Sequence, residues 1–202
     1  MKKMKLWMLA AILLCGFMWM TSCNGNANAD KVAEDTVKTE KFLDFMSAVD
    51  KYLTDSIGSH YAEGEVCIPY EIIVSADKSR PDSVMLWGDF WVFNYNVAGD
   101  TLKTVSGGSH IGMMTIKKDK QGEYAVISFE QVEDGHGLIE SAKRIFGDKF
   151  DSLDRIMSDD KLLEETRALN IAKYVKEHDM PVKYYQDFGW PAKEIKLARS
   201  AN

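Results

Sequence analysis

The alternation from Met85 to Val97 limits the possible folds of this chain more than any other feature. Its odd positions are Met85, Trp87, Asp89, Trp91, Phe93, Tyr95 and Val97, all but one large and apolar or aromatic. Such a period of two is the signature of a strand with a face on a core. The even positions Leu86, Gly88, Phe90 and Val92 are mostly apolar too, before Asn94 and Asn96 turn polar. The strand should therefore be covered on both faces at its start and on one face further along. Asp89 is the anomaly, a carboxylate between two tryptophans.

Turn-forming residues divide the neighbouring sequence into further strands. Ala98-Gly99-Asp100 and Asp119-Lys120-Gln121-Gly122 carry turn chemistry, and Ser106-Gly107-Gly108-Ser109 reads as a bulge or bend. Val66–Val74, Met85–Val97, Thr101–Ser106, Ile111–Lys118 and Tyr124–Val132 are thus expected to form one antiparallel sheet. Pro69 demotes the start of the first of these strands to an edge.

Ahead of the strands, Phe42, Phe45, Met46, Val49, Tyr52, Leu53 and Ile57 recur at helical spacing. They predict a helix from about Thr36 to Ile57, started by Asp35 or Thr36 and ended by Gly58. Behind the strands, Gly137–Phe146, a short stretch through Phe150, Leu153 and Ile156, and a segment from Ser158 to about His178 read as helices. Ser158, Asp159 and Asp160 supply the cap and acids that favour a helix start. The tail, residues 182–197, mixes aromatics with Gly189 and Pro191 and shows no clear period.

This order predicts an α+β domain, a curled antiparallel sheet packed on a long N-terminal helix with C-terminal helices, all on one face. It resembles the cystatin-like and nuclear-transport-factor-like families, including secreted bacterial domains of that type, in the stretch from Trp87 to Phe146. The resemblance implies that the first helix lies in the concave side of the sheet, with Phe45, Val49 and Leu53 against Trp87 or Trp91. It also implies a pocket there, in which some members use a carboxylate as a base. Asp89 is the candidate base, with Tyr70 or Tyr95 as hydrogen-bond donor.

The N-terminus points to a destination. Met1–Lys5 is basic, Leu6–Met20 is apolar, and Met20-Thr21-Ser22-Cys23 follows. The apolar run is short for a membrane span and suits a signal sequence. The whole resembles the leader and lipobox of bacterial lipoproteins, with Met20 where leucine is usual. That implies removal of residues 1–22 and acylation of Cys23, whose chains anchor the protein in a bacterial membrane at about 0.8 kcal/mol per buried methylene. Residues 23–35 would then be the acylated cysteine and a tether reaching about 20 Å, and residues 36–202 a single domain facing the periplasm or the cell surface.

Losing the leader removes three of the 25 basic residues and none of the 31 acidic ones, which takes the formal charge from −6 to −9. So acidic a chain argues against nucleic acid as a partner. Cys67 remains as the one unmodified thiol, so no internal disulfide is available.

One constellation at the end of the sheet has polar chemistry. Pairing Lys118 with Glu123 would bring Gly107 and Gly108 level with Asp134 and Glu133, gathering Ser106, Ser109, His110, Glu133, Asp134 and His136. Two histidines with two carboxylates have the composition of a metal or acid–base site, although the spacing fits no metal-ligand motif and no cofactor is expected. Asp187-Phe188-Gly189 matches a kinase tripeptide without the motifs that accompany it. With no catalytic motif in evidence, the expectation is a membrane-anchored binding module. Its ligand would be a protein or small molecule, with Trp87, Trp91 and the loop-end cluster as candidate contacts. An isomerase or dehydratase using Asp89 is the alternative.

Overall fold

The computed structural model describes residues 45–196. The leader, Cys23, the tether and residues 36–44 of the expected helix lie outside them. Four long strands form the centre: β1 (Val66–Arg80), β2 (Ser83–Ala98), β3 (Thr101–Lys118) and β4 (Tyr124–Gln131). They pair antiparallel in sequence order. Residues 101–118 form one strand where two were expected. Its irregularity is a bulge at Val105, where the partners of Asn94 and Tyr95 are Ser106 and Thr104. Gly107 then takes φ +142°, and a Cβ there would stand 2.2 Å from the Val92 carbonyl oxygen, so only glycine fits against β2.

The tail completes the sheet and makes it mixed rather than antiparallel. β5 (Tyr184–Gln186) runs parallel to the first residues of β3, and β6 (Lys193–Glu194) pairs antiparallel with β5. β4 occupies the other end of the same edge of β3, while β1 is left at the far edge.

Helices cover both faces of this curled sheet, not one. Helix α1 (residues 45–57) is α-helical to Tyr52 and widens over Leu53–Ile57, where the Gly58 N–H reaches the Leu53 carbonyl. Its Phe45, Val49 and Leu53 pack on Val84, Leu86, Phe90, Met114 and Ile116. These are the even positions of β2 and the β3 residues opposite them. The expected contact with Trp87 or Trp91 is therefore wrong: both tryptophans point to the other face. There α2 (Leu138–Phe146) and α3 (Phe150–Met157) pack around Trp87, Ile111 and Met113. The long α4 (Asp160–Glu177) packs on Ile68, Tyr95 and Leu102 together with the tail. Asp159 caps α4 by accepting the Leu162 N–H at 2.9 Å, as the acids before it suggest.

Candidate functional site

The residues singled out in the sequence divide among three places. Trp87 is a structural wedge, its indole N–H donating to the Ile145 carbonyl at 3.0 Å with the Lys149 ammonium over its ring. Trp91, Tyr70 and Phe93 form a triangle of nearly parallel rings, with centroids 5.8 Å (Tyr70–Trp91), 5.7 Å (Trp91–Phe93) and 6.3 Å (Tyr70–Phe93) apart. The Arg167 guanidinium of α4 lies 3.9 Å from the Phe93 ring centre. A cavity of about 210 Å³ opens beside Tyr70, Trp91, Phe93 and Arg167.

Asp89 is 2 % exposed, and Ser109 Oγ donates to it. Burial raises its pKa, an effect partly offset by Ser109 and by the nearby Trp91 indole. Trp91 Nε1 faces the carboxyl without reaching regular hydrogen-bond geometry. The Tyr70 hydroxyl is pushed far above its ordinary pKa, chiefly by burial, and the Tyr95 hydroxyl to about 12 for the same reason. Tyr95 Oη already accepts from Arg167 Nε at 3.1 Å. Asp89 itself lines none of the five clefts described among these residues.

The loop-end constellation assembles in part. The pairing of β3 with β4 is offset from the expected register: Lys118 faces Tyr124, and the ladder ends at Gly112 and Gln131. His110 and Asp134 come within electrostatic reach. A different residue, Tyr61, completes the cluster. Its Oη lies 3.0 Å from His110 Nε2, while Gln131 Nε2 lies 3.2 Å from Nδ1. With the amide donating to Nδ1, a neutral ring keeps its proton on Nε2 and gives it to Tyr61. Burial also lowers the His110 pKa, favouring that neutral ring. Gly108 makes this possible, since a Cβ there would meet Tyr61 Oη at 2.8 Å.

Glu133 and His136 do not join this cluster. The Glu133 carboxylate folds back over Gly137, its backbone N–H donates to Ser141 Oγ, and His136 is exposed on the following turn. Ser106 donates instead to the Ala62 carbonyl. No three His, Cys, Asp or Glu side chains among the described residues are placed to hold a metal ion.

The site with open chemistry lies along the free edge of β1, and the sequence did not single it out. A cleft of about 580 Å³ runs between α1, β1 and α4. Cys67, Pro69 and Glu71 line it from β1, Asp50 and Thr54 from α1, and Asn170, Lys173 and Tyr174 from α4. The α4 residues recur at helical spacing, which places them on one face of that helix. Glu71 carries the chemistry. Burial lifts its pKa well above the usual carboxylate range, a hydrogen bond and like charge from Asp50 lift it further, and Lys173 pulls only partly back. The hydrogen bond between them joins Glu71 and Asp50 into one pair of carboxyl groups. Glu71 Oε1 is wholly buried and has no hydrogen-bond partner, a costly arrangement inside a protein. Burial also raises the pKa of the Cys67 thiol, although Thr54 hydrogen-bonds to it. That is the setting of a structural thiol rather than a nucleophile.

No family model, curated protein or solved structure matches the chain, so the reading of this site rests on its own geometry.

Proposed function

We propose that the protein is a lipoprotein of the bacterial cell envelope whose folded body is a non-catalytic binding module. The observation that supports this best is the cleft along β1. It is built from three elements, is large enough for a small ligand, and ends on an unpartnered buried acceptor. The candidate catalytic groups are engaged elsewhere. His110 has a partner on each ring nitrogen, and Asp89 is buried beside Ser109.

The isomerase or dehydratase reading requires a pocket between α1 and the tryptophan face, as the nuclear-transport-factor-like resemblance implies. α1 crosses the opposite face, so nothing recommends that pocket.

The anchor is tested by metabolic labelling with a fatty-acid analogue. The wild-type chain is expected to take up the label and Cys23→Ala to lose it. A label that survives the substitution would remove the anchor from the proposal.

A further inference from the structure

We propose that the cleft between α1, β1 and α4 binds a small primary amine, with Glu71 and Asp50 as its receptors. This names the ligand class of the binding module proposed above and rests on that reading.

Glu71 lines the cleft with its Oε1 buried and without a donor, and its carboxyl group is hydrogen-bonded to a second one, that of Asp50. An isolated buried acceptor loses its hydrogen bonds to water and gains nothing in return. A ligand bringing N–H donors would satisfy it. A positive charge on that ligand would also be attracted to the carboxyl pair. A primary ammonium group has both, and its three donors can reach both carboxyls at once.

The surroundings favour a cation. α1 presents Asp50 and Asp55, the latter paired with Lys51, and α4 presents Glu177 and His178 as well as Lys173. Lys173 weakens the effect on Glu71 without cancelling it. Tyr174, its ring tilted by 33° against His178 with centroids 4.1 Å apart, supplies an aromatic surface for a short alkyl chain.

Binding breaks no covalent bond of the chain: the ammonium donates its N–H groups to the Glu71 and Asp50 oxygens.

Calorimetry on the full-length chain in non-ionic detergent tests this. The probes are 1,4-diaminobutane, its neutral analogue 1,4-butanediol, and tetramethylammonium, which carries charge but no N–H. The diamine is expected to bind, and the other two to bind at least about tenfold more weakly. Glu71→Gln, nearly isosteric, should weaken the diamine about tenfold. Asp50→Asn, checked for folding by circular dichroism, provides a second variant and should also weaken it. Equal binding of tetramethylammonium, diamine binding unchanged in the variants, or no diamine binding to the wild type would each overturn the proposal. Acyl labelling at Cys23 is independent of these results, so a failed ligand class leaves the anchor standing.

Discussion

Phe90→Ala is expected to destabilise the protein by about 3–5 kcal/mol, the cost of emptying a large aromatic site in a packed core. Phe90 is fully buried, and its ring meets Phe129 edge-on at 5.5 Å. It belongs to the core that Phe45, Val49 and Leu53 of α1 complete. Removing the ring therefore removes the floor on which α1 rests. Urea unfolding followed by circular dichroism measures the effect. Trp91→Ala should cost less, because Trp91 is only half-buried and its indole N–H has no partner. Had α1 packed on the tryptophan face, the order of the two losses would be reversed.

Asp187→Ala is expected to cost about 2–4 kcal/mol, because it strands a buried cation. Arg167 donates to both Asp187 oxygens, at 2.9 and 2.7 Å, to Thr104 Oγ1 at 2.9 Å, and to Tyr95 Oη. Its side chain is 13 % exposed and that of Asp187 34 %, which places the loss toward the lower part of the range for a fully buried pair. The pair joins α4, the start of β3 and the tail, so breaking it also loosens the seat of β5. Arg167→Met should be milder, since the carboxylate it leaves unpaired is the more exposed partner and the new side chain keeps contact with Phe93.

The pH dependence has a definite sign. Burial alone would raise the Asp187 pKa, but hydrogen bonds from Arg167 and Thr104 and the Arg167 charge more than offset it, and the net shift is downward. A depressed carboxylate stabilises the fold above its unfolded pKa, about 3.9. That contribution is lost as pH falls through the lower folded value. Asp187→Ala should therefore flatten the acid limb of the stability profile.

The strands of the sheet were legible because a period of two survives whatever covers them. Trp87, Trp91 and Tyr95 do share a face, and Ser83–Ala98 pairs along its whole length. The same run concealed which face α1 takes, since Leu86, Phe90 and Val92 are as apolar as Trp87, Trp91 and Phe93. Periodicity finds two buried faces but cannot assign a helix to either.

β5 and β6 were missed for a different reason. At three and two residues they are too short to show a period, and a parallel partner gives no turn signal. Arg167 and Asp187 lie on α4 and just beyond β5, with no local spacing to connect them. Glu71 reads in sequence as the polar side of an edge strand. Only the flanking of that edge by α1 and α4 turns it into a buried acceptor. His110 and Asp134 were found by register arithmetic, whereas Tyr61, whose place depends on the chain's course after α1, was not.

Everything assigned to the cleft depends on α1 ending against β1 on the face away from the tryptophans. There Thr54 hydrogen-bonds to the Cys67 thiol, and a Cβ on Gly58 would stand 2.9 Å from Cys67 Sγ. The most direct measurement is Thr54→Cys in a Cys15→Ala, Cys23→Ala background, mildly oxidised while folded and mapped by peptide mass spectrometry. Disulfides form only where the two Cα atoms lie within about 7 Å. The account predicts an internal bond between position 54 and Cys67, formed before unfolding and in high yield. Two free thiols in the oxidised, folded protein, or cross-links only between chains, would place α1 elsewhere and contradict it.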